Sequence, residues 1–266
     1  MSTLIKNFNM KITKISICGG LGRMGKILIN EVIKNKKLKL ESITDKKNSP
    51  SIKGIKIQEN NIHAFKNTDV IVDFSRPEST LHILKLAEKL KKAVVIGTTG
   101  FNKKQNDFIK KLSKKIPIFK SGNMSMGINL LEYIVSALSK KIPADYQIKI
   151  IDQHHKNKID YPSGTALMLA NAISEGRDKK LELIKGKTFL NKKGDPRKNK
   201  INFYITRKGN IIGKHSINFK NKIENIELKH TALSRELFAD GALKAAIWIS
   251  KKKKGLFNMQ DMLKLK

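Results

Sequence analysis

The sequence predicts an α/β protein: a nucleotide-binding type of domain with a parallel sheet, plus a smaller α+β domain with a mixed or antiparallel sheet. Three observations predict it. Residues up to about 125 alternate short apolar runs with segments of helical spacing, as βα units do. A glycine turn directly follows the first of those runs. Beyond residue 200 the pattern changes to consecutive strand-like segments.

Residues 14–18 read as a short buried strand, and Gly19-Gly20-Leu21-Gly22-Arg23-Met24-Gly25 follows at once. Met24, Ile27, Leu28, Val32 and Ile33 then recur at helical spacing. A second strand over 38–44 ends on Asp45, 20 residues after Gly25. Strand, glycine turn, helix, strand and terminal acid is the dinucleotide-binding arrangement, so the first domain reads as Rossmann-like. Gly19 permits the tight turn, Gly22 lets the backbone approach a pyrophosphate, and Gly25 lets the helix pack on the strand. Asp45 is placed to accept from ribose hydroxyls, and Lys46 beside it reads either as a partner for a 2′-phosphate or as one more surface lysine; NADH and NADPH both stay open.

Residues 70–74 read as a buried strand. Ser75 and Glu78 have the spacing of a capping box, with Pro77 in the first turn of the following helix. Residues 93–96 and 117–120 are further strands, 97–100 is the loop beyond a strand's carboxyl end, and 129–138 is helical. In the second domain, 147–152 reads as a strand and 165–174 as a helix. The lysine-rich stretch 185–200 reads as a long surface loop. Strands are expected over 201–206, 210–219 and 223–230, and a helix over 236–250.

Between a strand and a helix start lies His154-His155-Lys156-Asn157-Lys158-Ile159-Asp160-Tyr161-Pro162-Ser163-Gly164-Thr165. Imidazoles exchange protons near neutral pH. An ammonium pairs with a carboxylate, and free N–H groups at a helix start favour anions. Together they suit a small acidic substrate. Adjacent histidines point apart and have no partner at metal-ligand spacing, so no metal is expected.

Composition bounds the rest. The chain has 266 residues, enough for two cored domains, and no apolar run long enough to span a bilayer. No secretory signal is visible; the first ten residues read as a frayed extension, with Met10 an alternative start. A single cysteine, Cys18, excludes an internal disulfide and fits a reducing cytoplasm; it reads as a small buried hydrophobe. The net charge of +33 comes from 49 lysines and 6 arginines spread over every segment, beside abundant asparagine and isoleucine. That is the signature of A/T-rich codons. Sparse aromatics argue against a single-strand stacking platform, so only weak adhesion to polyanions is expected, and no specific nucleic acid.

The glycine turn and the His154 stretch resemble the 4-hydroxy-tetrahydrodipicolinate reductase (dihydrodipicolinate reductase) family of the diaminopimelate route to lysine. The likeness continues through Asp73-Phe74-Ser75-Arg76-Pro77-Glu78, Gly97-Thr98-Thr99-Gly100-Phe101 and Asn123-Met124-Ser125-Met126-Gly127-Ile128-Asn129. Further blocks are Gly213-Lys214-His215, Ser234-Arg235 and Gly255-Leu256-Phe257. The resemblance implies NAD(P)H-dependent reduction of a cyclic dicarboxylate, with loss of its 4-hydroxyl as water, in a cytoplasmic homotetramer assembled through the second domain's sheet. It implies domains at 1–125 with 236–266 and at 126–235. His154 is implied as general acid, assisted by Lys158; His155, Lys158, Ser163, Gly164 and Thr165 are implied to hold substrate carboxylates. Gly19, Gly20, Leu21, Gly22, Arg23, Met24, Asp45, Lys46, Gly97, Thr98, Thr99, Ser121, Gly122, Asn123 and Met124 are implied to contact the cofactor. Leu21, Asn157 and Tyr161 depart from residues common in the family; Leu21 still offers a backbone N–H. His215 and Arg235 read as supporting groups, and His63, His82 and His230 as structural or surface residues. Another reductase of a small dicarboxylate, or a non-catalytic cofactor- or polyanion-binding protein, are the alternatives; the His154 stretch favours the enzyme.

Overall fold

The computed structural model describes residues 12–46 and 51–265; the first ten residues and Met10 lie outside them. In chain order the elements are β1 (Thr13–Cys18), α1 (Arg23–Lys34), β2 (Leu38–Thr44), β3 (Ile57–Gln58), α2 (Ile62–Phe65), β4 (Val70–Asp73), α3 (Pro77–Leu90), β5 (Ala93–Ile96), α4 (Lys103–Ser113) and β6 (Pro117–Lys120). They continue with α5 (Met126–Lys141), β7 (Gln147–His154), α6 (Gly164–Gly176), α7 (Leu181–Ile184), β8 (Lys185–Leu190), β9 (Ile201–Arg207), β10 (Gly213–Lys220) and β11 (Asn225–Ala232). The chain closes with α8 (Glu236–Ile249), β12 (Gly255–Phe257) and α9 (Met259–Leu263). It divides into two units: residues up to Ser121 with Ala239–Asn258, and Gly122–Phe238 with the residues from Met259 on.

The first unit holds a seven-stranded sheet of order β12-β6-β5-β4-β1-β2-β3, with every pair parallel. Its central strands are buried on both faces, which is why Val70-Ile71-Val72 and Val94-Val95-Ile96 are apolar without alternation. The strand order reverses beside β1, and ligands of open parallel sheets bind at the carboxyl ends around such a point. The sheet of the second unit has the order β11-β10-β7-β9-β8 and is mixed: β7, β8 and β9 run parallel, while β10 is antiparallel to both β7 and β11. Phe203, Ile205, Ile217 and Phe219 form its core with Leu169 and Ile173 of α6.

Four expectations are corrected. Residues 185–190 are not loop: β8 pairs with β9, with Phe189 stacked on Tyr204 on one face and Leu190 packed on the core on the other, while its lysines stay exposed. Buried Asn202 stitches the polar residues that follow, accepting from the Lys187 and Arg197 N–H groups and donating to the Arg197 and Lys200 carbonyls. Ser75 and Glu78 form no capping box. The Ser75 hydroxyl donates to the buried carboxylate of Asp73, and Arg76 stands at the N-cap with no side-chain bond. Strand β7 runs past Asp152 to His154, because Gln153 and His154 still pair with Thr206 and Arg207 of β9. Finally, α9 belongs to the second unit, where Gln260 donates to Glu132 of α5 over 3.0 Å.

Candidate active site

In the first unit the glycine turn meets its steric demands. Gly19 has φ +77°, and a Cβ there would lie 2.6 Å from the Phe74 carbonyl oxygen. A Cβ on Gly25 would lie 2.1 Å from the Gly19 carbonyl oxygen, so only glycine lets α1 approach β1 this closely. Helix α1 starts at Gly22 without a side-chain cap, leaving its first turn suited to a phosphate. Asp45 stands at the carboxyl end of β2. Its Oδ2 accepts the Leu21 N–H at 2.9 Å and its Oδ1 the Lys46 N–H at 2.7 Å. The Leu21 N–H is therefore spent within the turn, not left open as its sequence position suggests. A cleft of about 410 Å³ is lined by Gly19, Leu21, Gly22, Asp45, Lys46 and Arg76. Gly20 is buried, and Arg23 is exposed on the first turn of α1 with Met24 half-buried beside it. These features fit a dinucleotide: a turn for the pyrophosphate, an acceptor for ribose hydroxyls, and two cations beside it.

Asp73 ties the loops of this face together, a role the sequence reading passed over. Its buried carboxylate accepts from the Ser75 N–H and from the hydroxyls of Ser75, Thr80 and Thr98. Burial raises its pKa, and those donors only partly offset it. Thr98 is thereby fixed, while Thr99 is exposed. Gly97 leaves room for the Phe74 ring, 2.2 Å from where its Cβ would stand. Ser121 closes the first unit, donating its N–H to Ile96; Gly122, Asn123 and Met124 open the second. Cys18 is fully buried, and burial pushes its thiol well above the ordinary range, as an inert core residue requires.

The second unit gathers a polar cluster on one face of its sheet. Asp152 and His154 lie two apart on β7 and so share a face. His215 of β10 is the register partner of Asp152, and His230 of β11 is the register partner of His215. The Asp152 Oδ1 lies 2.7 Å from Nδ1 of His154 and 3.3 Å from Nε2 of His215. Both are close contacts off the ideal N–H line. Oδ2 accepts the Ser163 N–H at 2.8 Å and lies 3.2 Å from Nη2 of Arg207. Burial alone would raise the Asp152 carboxyl. The His154 and His215 rings and the Ser163 N–H outweigh it and hold the group well below the usual carboxylate range. His215 moves down, chiefly through burial, with Asp152 opposing.

Two helix starts meet this row. Ser163 caps α6, accepting the Ala166 N–H, and its hydroxyl lies 3.3 Å from Nε2 of His215. Ser125 caps α5 in the same way, with its hydroxyl 3.4 Å from Nε2 of His230. His230 is therefore not an isolated structural histidine. Asn123 donates to the Thr165 hydroxyl over 3.0 Å, linking a residue expected at the cofactor to one expected at the substrate. The Lys158 ammonium pairs with Asp160 at 2.8 Å. His155 is half-buried, and Gly164 is exposed at the start of α6. Tyr161 is exposed. Asp152, Asp160 and Arg207 were missed in sequence. Asp152 had a signal, an acid two residues before His154 on a strand; Arg207 had none.

Asp152, His154 and His215 bring three metal-type ligand atoms within 4.8 Å of one another, a grouping that local spacing does not reveal. The 2.7 Å gap between His154 Nδ1 and Asp152 Oδ1 is shorter than the ~3.3 Å between ligands of a tetrahedral ion. The Arg207 guanidinium also occupies the same carboxylate. The geometry is that of an ion-pair cluster. A larger cavity, about 800 Å³ and lysine-lined, lies at the amino ends of β1, β5 and β6, the end of a parallel sheet that does not carry ligands.

Comparison with known proteins gives a consistent family. Residues 13–124 match the family model described as dihydrodipicolinate reductase, N-terminus, and residues 127–263 match its C-terminal counterpart. The chain is 52% identical over 255 residues to 4-hydroxy-tetrahydrodipicolinate reductase of Pelagibacter ubique (strain HTCC1062), covering 96% of this chain and 99% of that protein. It is 46% identical over 267 residues to the protein of that name from Buchnera aphidicola subsp. Cinara cedri, covering 95% and 97%. Among solved structures, dipicolinate-bound dihydrodipicolinate reductase from Paenisporosarcina sp. TG-14 superposes with a TM-score of 0.77 at 22% identity, covering 95% and 99%. At that identity the likeness speaks for the fold. C. glutamicum DAP dehydrogenase in complex with DAP shares the fold more loosely, with a TM-score of 0.57 at 12% identity, covering 97% and 96%.

Proposed function

The chain belongs to the dihydrodipicolinate reductase family, and from that premise we propose how its residues divide the work. The activity is NAD(P)H-dependent reduction of 4-hydroxy-tetrahydrodipicolinate to tetrahydrodipicolinate with loss of water, in lysine and diaminopimelate biosynthesis. The observation that carries the division is the buried Asp152–His154–His215 cluster beside the start of α6.

His154 is the general acid. It keeps 10% of its side-chain surface exposed while Asp152 keeps none, so the ring can deliver a proton outward. Lys158 pairs with a substrate carboxylate and stabilises charge; its hold on Asp160 is an exposed pair that a carboxylate can replace. Ser163, Gly164 and Thr165 offer the first turn of α6 to the carboxylates, with His155 alongside.

In the first unit, Gly19, Gly20, Leu21, Gly22, Arg23 and Met24 cradle the pyrophosphate, while Asp45 and Lys46 face the adenosine ribose. Gly97, Thr98 and Thr99, and the run Ser121, Gly122, Asn123 and Met124, serve the nicotinamide end. Bound there, the dinucleotide supplies the hydride. Lys46 leaves both NADH and NADPH usable.

No helix among the described residues is long and apolar enough to cross a membrane. We place the protein in the cytoplasm, with its single cysteine reduced, as a homotetramer built on the second unit's sheet. Exposed Ile223 and Leu233, flanking β11, support that face. Light scattering at a tetramer's mass tests it; a monomer's mass refutes it.

The deciding experiment for the activity is a coupled assay with freshly made 4-hydroxy-tetrahydrodipicolinate, following nicotinamide absorbance. Absorbance should fall only when both substrate and reduced cofactor are present. No loss with either cofactor would overturn the assignment.

A further inference from the structure

We propose that Asp152 is the positioning residue of this site: its carboxylate dictates which ring nitrogen of His154 carries the fixed proton and which delivers one to the substrate. The proposal deepens, and rests on, the reading of His154 as general acid.

The geometry leaves one arrangement of protons. His154 Nδ1 and Asp152 Oδ1 are 2.7 Å apart. Two bare lone pairs repel at that separation, so one of the atoms carries a proton. The carboxylate is fully buried, yet it accepts the Ser163 N–H and meets the Arg207 guanidinium on its other oxygen. Both contacts favour the ionised form. The proton therefore sits on Nδ1 of His154.

Nε2 is then the exchanging atom. It lies on the side of Gly213, where a Cβ would stand 3.3 Å away; glycine keeps that edge of the ring uncrowded. Doubly protonated, the ring has an Nε2–H to give. After giving it, the ring is a neutral imidazole that still carries its proton on Nδ1, beside Asp152. The proton moves from Nε2 to the substrate, and no other bond of the protein changes.

The surroundings fix the ring as well. His215 packs edge-on against it, with ring centroids 5.1 Å apart and planes at 70°. His215 also reaches the same Asp152 oxygen at 3.3 Å. Arg207 donates to the Asp152 carbonyl and to the Asp160 carbonyl, so the carboxylate and the segment bearing Lys158 hang on one guanidinium. A supporting carboxylate that orients an imidazole and sets its tautomer is a recurring device in proton-transfer sites.

A purely structural ion pair between Asp152 and Arg207 would predict the same burial but not the same coupling. Two measurements separate them. In the unmodified protein labelled with ¹⁵N-histidine, the resonances lost in His154→Gln identify the His154 ring. Its neutral form should be the Nδ1–H tautomer, and an Nε2–H tautomer would overturn the proposal. This needs no substitution at Asp152, so it holds even where Asp152→Asn folds poorly.

The second measurement is a double-mutant cycle on kcat, with cofactor affinity and circular dichroism as folding checks. Asp152→Asn should lower kcat roughly 10²-fold, at the low end of the effect of losing an acid–base group. The same change in a His154→Gln background should cost less than about twofold, since the group it positions is gone. Asp152→Glu should restore part of the loss. Full, additive losses in the double variant, with His154→Gln itself deficient, would overturn the positioning role alone. A His154→Gln enzyme with undiminished kcat would overturn both that role and the acid assignment.

Discussion

Leu21 and Asp45 are joined by a 2.9 Å hydrogen bond from the backbone N–H of the glycine turn to the carboxylate at the end of β2. The acid proposed to face the ribose also braces the turn proposed to hold the pyrophosphate. One residue thus couples the two proposed halves of the adenosine site.

Asp45→Ala should therefore weaken NADH binding roughly tenfold or more, the loss expected for a hydrogen bond to a charged group. NADPH should lose less, because its 2′-phosphate does not use the carboxylate. It should still lose something, because the turn slackens. Lys46→Ala should weaken NADPH more than NADH. Fluorescence titration of both cofactors into both variants checks this, and identical affinities in all four combinations would remove both residues from the adenosine pocket.

The Lys158–Asp160 pair predicts opposite effects from its two members. Lys158→Ala should raise KM and lower kcat together, because the ammonium serves both binding and charge. With Lys158 holding a substrate carboxylate as proposed, Asp160→Asn removes a carboxylate that competes for that ammonium. Its KM should fall by a few-fold, with kcat within about twofold of the parent enzyme. A raised KM in Asp160→Asn would mean that the aspartate positions Lys158 rather than competing for it.

Asp152 makes stability depend on acid. Its folded carboxyl titrates below the ordinary value of 3.8, so its contribution is fully present above that value and is lost as pH falls toward the folded one. Urea midpoints from pH 7 to pH 2 should drop on the acid side for the parent protein. Asp152→Asn should lie lower at pH 7 by about 3–5 kcal/mol, the cost of breaking a buried ion pair, and its acid limb should be flatter. Parallel curves would show that the carboxylate does not titrate with folding.

How much of this was legible in sequence follows from which interactions are local. The glycine turn, β2 and Asp45 sit within one βαβ unit, and their spacing alone placed them. The start of α6 was legible for the same reason, since Ser163 caps it through Ala166. The partners of His154 were not. His215 and Arg207 reach Asp152 only because β9 and β10 flank β7, and strand order in a mixed sheet is not written in spacing. Strand β8 was missed because its lysines disguise a half-buried strand as a loop. The Ser75 cap failed for another non-local reason: a buried carboxylate, Asp73, competes for the hydroxyl more strongly than a helix N–H does.

The excess of basic residues makes a prediction of its own. If it follows codon composition, DNA binding should be weak, indifferent to sequence and steeply reduced by salt. Anisotropy titrations at several salt concentrations check this. Tight binding to one sequence at physiological salt would point to a dedicated nucleic-acid role.

The Asn123–Thr165 bond specifies what Thr165 can do for a substrate. Asn123 Nδ2 donates to Thr165 Oγ1 over 3.0 Å, so the hydroxyl oxygen is already an acceptor there and its own proton is directed elsewhere. Asn123 is itself held, accepting the Ser125 N–H on its side chain and the Asn129 amide on its carbonyl. In the role proposed for Thr165, a hydroxyl fixed in this way presents a donor to a substrate carboxylate at the start of α6. Thr165→Val keeps the shape and removes the donor, and should raise KM roughly tenfold with kcat little changed. Thr165→Ser should stay near the parent enzyme. Asn123→Ala should raise KM by less than Thr165→Val, since it frees the hydroxyl without deleting it. Steady-state kinetics of the three variants decide the matter. A Thr165→Val enzyme that loses kcat at unchanged KM would place this hydroxyl in the chemical step instead of in binding.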